Sequence, residues 1–348
     1  MPMLREQGEW PAGRVIQLQH HSEVLKTNPW EDPFSRLLTV YLPAEYNEQG
    51  KPYSTLWDLA AFTNSGPGHV SWRNHGENLP QRLDRLIGQG VMPPQVVVMP
   101  DCYTTLGGNQ YVNSPSVGLY ADYLVKELVP FVSRQLNVVD DRTGRALFGK
   151  SSGGYGALFH AMFYPETWGA AASHSGDVGF ELLFRGAFPE TCAHLSSYGG
   201  DIDRFISKFW SANKLSGRDF TTLMILAMAA SYDPDPVHPE KIRLPFDLTS
   251  CTLDPDRWAQ WLSFDPLNLI EKYSDNLKKL RALYIDVGTY DQYHIQFGTR
   301  SMVKRLEQLD VPHFFEEFDG SHSGIDWRLD FSLPYLANAL NYAHEEAS

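Results

Sequence analysis

The sequence predicts an α/β protein with a mostly parallel central sheet, helices on both faces and a helical cap insertion. Three observations carry that reading. Short apolar runs alternate with helix-length segments from residue 37 to 173 and again from 283 onward, the rhythm of strands joined by helical crossovers. Between these halves, residues 178–280 show no clear strand and are too long for a plain connector. Finally, Arg145 to Leu158, RALFGKSSGGYGAL, reads as a buried strand, a tight turn and a glycine-rich helix start. The chain is therefore read as a single domain, 1–348, with 178–280 a mostly helical cap within it rather than an independent unit.

The elements follow in order. Val15 to His20 alternates apolar and polar residues, as an edge strand does, and the proline-punctuated stretch Asn28 to Pro33 makes a turn. Leu37 to Pro43 and Tyr53 to Leu59 are the next two strands, and Ala60 to Gly68 is a loop in which the backbone must bend sharply. Leu79, Leu83, Leu86 and Ile87 keep helical spacing over 79–88. Gln95 to Asp101 is a strongly apolar strand, and Val117 to Leu136 is expected as one amphipathic helix. A strand at Ala146 to Phe148, a helix at Tyr155 to Phe163 and a strand at Gly169 to Ser173 complete the first half. In the insertion, Phe220 to Ala230 is a helical run. The rhythm resumes with a strand at Leu283 to Val287, a helix at Thr299 to Leu309, a strand at His313 to Phe318 and a closing helix at Leu329 to His344.

Composition narrows the function classes. The net charge is −13 with no lysine or arginine cluster, which argues against nucleic acid or an anionic membrane as partner. The three cysteines, Cys102, Cys192 and Cys251, are odd in number and widely spaced, so they form no full disulfide framework and no zinc pattern. No metal and no cofactor is expected. The opening MPMLREQGEWPAGR has no apolar signal core, and no run approaches membrane-spanning length, so a cytoplasmic location is the expectation. Oligomeric state is unreadable, and a homodimer is left open.

The stretch at 145–158 supports two incompatible chemistries. Gly149, Lys150, Ser151, Ser152 and Gly153 satisfy G-x-S-x-G, the nucleophile elbow of α/β-hydrolases, with Ser151 at the apex of a strand-to-helix turn. A strained apex costs roughly 1–3 kcal/mol and needs neighbours without bulk, which Gly149 and Gly153 supply. Gly144, Gly149, Lys150 and Ser151 equally satisfy the phosphate-loop pattern G-x-x-x-x-G-K-[ST]. In that loop, however, Arg145 to Phe148 would wrap phosphates, whereas they read as a strand, and the preceding Asp140 to Thr143 is a polar turn. The elbow reading is preferred, and a nucleotide-binding protein remains the rival.

A serine hydroxyl needs a base to take its proton and an acid to orient that base. The elbow fold places acid and base, in that chain order, on loops after late strands. Asp291 follows the penultimate strand and His322 the last, a coincidence the phosphate loop leaves unexplained. Asp286 is a competing acid, but it belongs to the strand itself. His174 and His294 also lie near strand ends, where a lone histidine is more often a hydrogen-bonded bystander than a catalytic group. For the oxyanion, the Ser152 amide supplies one donor and the loop after the third strand the other, with Phe62 the candidate.

The segments NPWEDPFSRLLTVYLPAEY, QVVVMPD, YADYLVKELVPFV and GKSSGGYGALFHAMFYPETWGAAASHSG resemble the putative-esterase family of α/β-hydrolases. That family includes esterase D (S-formylglutathione hydrolase), feruloyl and enterochelin-type esterases, and mycolyltransferases. The resemblance covers about residues 28–176, and the acid and histidine loops extend it to the C-terminus. It implies a serine carboxylic-ester hydrolase acting on a small-molecule ester through an acyl-enzyme, with Ser151, Asp291 and His322 as triad and Phe62 and Ser152 as oxyanion hole. An acyltransferase differs only in the acceptor of the acyl group. Two positions depart from the family: Ala60-Ala61-Phe62 stands where His-Gly or Ala-Gly usually precedes the donor, and Lys150 stands where a neutral or imidazole side chain is commoner.

Overall fold

The computed structural model describes residues 10–346; the ends of the predicted domain, 1–9 and 347–348, lie outside the described residues. Eight strands form one sheet: β1 (Arg14–His21), β2 (Ser35–Leu42), β3 (Thr55–Leu59), β4 (Val96–Met99), β5 (Arg145–Lys150), β6 (Ala170–His174), β7 (Ala282–Gly288) and β8 (Phe314–Phe318). Their spatial order is β1-β2-β4-β3-β5-β6-β7-β8. β2 runs antiparallel to both β1 and β4, and every other pairing is parallel.

Period-two alternation sends side chains to opposite faces. From β3 and β5, Leu56, Ala146 and Phe148 pack with α1 (Leu79–Gly88) on one face. Trp57, Leu59 and Leu147 point to the other, against residues near α2 (Val129–Gln135) and α3 (Ser152–Phe163). Parallel strands covered on both sides should be continuously apolar, and every residue of β3, β6 and β7 is indeed buried.

One predicted helix is interrupted. Gly118–Leu119 pairs with Asn113–Ser114, a short turn of helix covers Tyr120–Asp122, and a wide π turn over Tyr123–Leu128 precedes α2. Pro130 explains the widening: its ring would collide with the carbonyl of Lys126 in a regular α-helix and it has no N–H to donate.

Residues 178–280 hold helices on either side of a non-helical stretch at 233–254, with α4 (Gly217–Tyr232) and α5 (Pro266–Leu277) the longest elements among them. α4 starts on a capping box in which Ser216 and Asp219 exchange backbone and side-chain bonds. Its flanks are apolar nearly all round, so it is buried rather than amphipathic. Tyr155 of α3 meets Phe180 and Tyr232, and these join Phe184 and Trp261 in one aromatic cluster. The insertion thus shares its core with the sheet. After it come α6 (Ile295–Gln308) and α7 (Leu329–Glu346). No helix among the described residues is long and apolar enough to cross a membrane.

Candidate active site

Ser151 occupies the turn between β5 and α3 with φ 55° and ψ −125°, a strained conformation for a residue with a side chain. The turn is possible because its flanks are glycines. A Cβ on Gly153 would stand 1.8 Å from the Leu59 carbonyl oxygen, and one on Gly149 would stand 2.5 Å from backbone atoms of Gly153 and Leu59. The same turn removes the phosphate-loop reading: Arg145 to Gly149 are paired with β3 on one side and Ala146 to Lys150 with β6 on the other, so they cannot wrap a phosphate.

Ser151 opens onto a cavity of about 470 Å³. His322 lines the same cavity, and its Nδ1 lies 2.7 Å from Oδ2 of Asp291, which is buried. Oδ1 of Asp291 accepts the Tyr293 amide at 2.8 Å, and the Tyr293 ring stands edge-on to the imidazole at 4.9 Å between centroids. The carboxylate is thereby fixed on both oxygens and the ring is held in one orientation, leaving Nε2 for the cavity. Phe62 and Ser152 line the cavity as well. The Ser152 amide is the first of α3, where no intrahelical acceptor exists, and the Phe62 amide donates to no partner among the described residues. The Phe62 ring rests against Gly107 and Gly108, which anchors the loop.

The alternative sites fall elsewhere. Asp286 on β7 holds His174 Nδ1 at 2.8 Å and Arg328 Nε at 2.7 Å, all buried below the sheet end. His294 caps α6 with φ 62° and faces Phe297. Lys150 turns away from the phosphate-binding role, its Nζ 2.9 Å from Asp326 Oδ1, and Arg73 joins Asp326 from the other side. No cluster of metal-ligating side chains occurs among the described residues.

The sequence reading missed Asp177. It sits three residues beyond β6, also lines the cavity, and is almost fully buried. Its Oδ1 is 3.5 Å from Ser151 Oγ; its Oδ2 accepts Gln110 Nε2 at 2.9 Å and Ser152 Oγ at 3.4 Å. Burial raises its carboxyl to about 6, although hydrogen bonding from Gln110 and the nearby His322 pull the other way. The signal was present as Ser175-Gly176-Asp177 at the carboxyl end of a parallel strand, where ligands bind in open α/β sheets.

A family model described as putative esterase matches residues 35–334. The chain belongs to the putative esterase family. Solved structures agree on the fold. A ferulic acid esterase superposes with a TM-score of 0.61 at 19% identity, covering 94% of this chain and 99% of that one. An S-formylglutathione hydrolase from Staphylococcus aureus gives 0.58 at 17% identity, with coverage of 94% and 99%. Both share the α/β-hydrolase architecture of this esterase-family chain. In sequence, an esterase of Mycobacterium tuberculosis is 25% identical over 158 residues, 42% of this chain, and the match covers 30% of that relative's length.

Proposed function

We propose that this protein is a serine esterase that hydrolyses small-molecule carboxylic esters through an acyl-enzyme. The observation that supports it is the strained Ser151 opening onto a cavity it shares with His322, whose other nitrogen rests on buried Asp291. With an ester bound, Ser151 Oγ attacks the carbonyl carbon while His322 Nε2 takes the hydroxyl proton. A turn about the Ser151 side-chain bond brings that hydroxyl from Asp177 to His322, the kind of tightening expected on substrate binding. Asp291 accepts from His322 Nδ1–H and stabilises the imidazolium. The Phe62 and Ser152 amides donate to the oxyanion, each worth roughly 2.7–4 kcal/mol in such a site.

Collapse of the tetrahedral intermediate breaks the bond to the alcohol oxygen, which leaves with the proton from His322. Water then attacks the acyl-enzyme, gives its proton to His322, and the acid departs as that proton returns to Ser151 Oγ. The helices of 178–280 act as the cap that selects the ester: Leu183, Phe184, Phe220 and Met224 supply an apolar wall of the cavity. A panel of p-nitrophenyl esters of graded chain length tests this reading, alongside mass spectrometry after treatment with a fluorophosphonate. Ester turnover with a single adduct on Ser151 is expected; an unlabelled Ser151 in a folded sample without turnover refutes the reading.

A further inference from the structure

The cavity walls are mainly apolar, formed by Phe62, Leu183, Phe184, Phe220, Met224 and Ile295, yet a carboxylate stands beside the nucleophile. Asp177 is not there by accident of packing. Its Oδ2 is fastened by Gln110 Nε2, and Gln110, buried and held at φ 55°, gives the same nitrogen to Tyr232 Oη at 2.9 Å. Gln110 Oε1 has no hydrogen-bond partner among the described residues. Oδ1 of Asp177, by contrast, has only the 3.5 Å contact to Ser151 among the described residues. Lys150, the one lysine lining the cavity among the described residues, is committed to Asp326.

For a plain ester such a carboxylate is unfavourable. Negative charge develops on the carbonyl oxygen during attack, and a second negative group near it opposes that charge. A buried acceptor covered by an alkyl group also loses water without gaining a donor. A donor carried by the substrate satisfies the acceptor, and a cationic one also offsets the charge. The carbonyl carbon approaches Ser151 Oγ to about 3–3.5 Å, and Asp177 lines the same cavity as the nucleophile, so a donor carried on the adjoining carbon can reach Asp177 Oδ1. The leaving oxygen must face His322 to receive its proton, which leaves the acyl side of the ester for the rest of the cavity, where Asp177 stands.

Resting on the esterase reading, we infer that Asp177 is a specificity-determining residue that selects acyl groups bearing a hydrogen-bond donor, a hydroxyl or an ammonium, on the carbon next to the scissile carbonyl. Hydrogen bonds to a charged acceptor imply a preference of roughly ten- to a hundredfold in kcat/KM over the donor-free analogue.

The test uses three methyl esters of equal chain length, methyl propanoate, methyl lactate and alanine methyl ester, followed by acid release in a pH-stat near pH 7.5. The intact protein is expected to favour methyl lactate or alanine methyl ester over methyl propanoate. Asp177→Asn keeps the shape and the contact to Gln110 while removing the charge, and it is expected to bring the alanine-to-propanoate ratio of kcat/KM down by tenfold or more, whatever it does to the absolute rates. Equal kcat/KM for all three esters in the intact protein overturns the inference whether or not the variant folds, and so does a ratio unmoved by Asp177→Asn. Absence of turnover on every ester, with Ser151 unlabelled by fluorophosphonate, overturns the esterase reading and the inference with it.

Discussion

Two histidines in this protein lean on carboxylates in nearly the same way. His322 Nδ1 is 2.7 Å from Asp291 and His174 Nδ1 is 2.8 Å from Asp286. His174 even carries a serine, with its Nε2 2.8 Å from Ser332 Oγ. On atoms and distances alone, Ser332-His174-Asp286 looks the more complete triad. What separates them is placement. Ser332 lies inside α7, fully buried, in ordinary helical backbone, and Asp286 is shared with the buried Arg328. Ser151 lies on a strained apex with free amides beside it and a cavity in front. A hydrogen-bonded Ser-His-Asp set therefore has no chemistry without an approach for substrate and donors for the oxyanion, and the buried set is a brace for the sheet end.

The largest effect that could break this contrast comes from the serines. Triad members act as a unit, so Ser151→Ala should lower kcat by roughly 10⁴- to 10⁶-fold. Ser332→Ala should leave kcat within about twofold, its cost being an unpaired His174 nitrogen that appears in a thermal melt. Steady-state kinetics on one p-nitrophenyl ester decides between them; a Ser332→Ala variant as inactive as Ser151→Ala would exchange the two roles.

The acids give the next contrast. Asp291→Asn removes the group that fixes the imidazole tautomer, so kcat should fall roughly 10⁴-fold with KM and melting temperature little changed. Asp286→Asn strands Arg328, whose remaining carboxylate, Glu316, is far more exposed. Breaking a buried ion pair costs about 3–5 kcal/mol, and the Glu316 contact places the loss near the lower end. Turnover per folded molecule should survive. Urea unfolding and kcat for the two variants check the pattern, and its reversal would move the acid to Asp286.

Much of this was legible beforehand because the relevant signals are local. G-x-S-x-G fixes Ser151 by sterics within five residues, and the strand after strand rhythm places Asp291 and His322 on loops at one end of the sheet. Asp286 separates from Asp291 for the same reason: one is in a strand, the other beyond it. The unread part is long-range. Nothing near Asp177 in sequence announces Gln110 or Tyr232, which arrive from a loop and from the insertion, and Lys150 acquires Asp326 from 176 positions away. The π turn at Tyr123–Leu128 has a local cause in Pro130, yet amphipathic spacing alone reads straight through it.

Asp177 sharpens the comparison through pH, since it is the carboxylate without an imidazole. Its folded value near 6 exceeds the ordinary 3.8 because burial disfavours its charge. Between those values the unfolded chain has released the proton and the folded chain has kept it, so stability falls as pH rises through that window and the penalty is complete above about 6. A rise from 3.8 to about 6 corresponds to on the order of 3 kcal/mol. Asp177→Asn should accordingly raise stability at pH 8 and leave it nearly unchanged at pH 4. Urea melts at both pH values check this, and a variant destabilised at pH 8 would mean that the carboxylate is held by a partner rather than strained by burial.

The smallest effect concerns how the two histidine loops are anchored. His174 is braced in the interior by Asp286, which Arg328 holds, whereas the loop carrying His322 is pinned just beyond its end by Asp326, through Lys150 next to the nucleophile and Arg73. Burial alone would raise the Asp326 carboxyl, but Lys150 and Arg73 outweigh it and hold it well below the usual range. These side chains are about a third exposed, so the pair is worth no more than about 1 kcal/mol. A lowered acid stabilises above its unfolded value and loses that contribution as pH falls through the folded one. Asp326→Asn should therefore cost up to about 1 kcal/mol at pH 7, with the difference from the parent protein shrinking below about pH 4. Because Asp326 does not line the cavity of Ser151 and His322, its loss should loosen the approach of His322 and lower kcat by about fivefold at most, with KM unchanged. A Lys150→Met variant with the same kcat loss would place the effect in the ion pair itself, whereas an unaltered kcat in both would show that the Asp291 contact alone holds His322 in place.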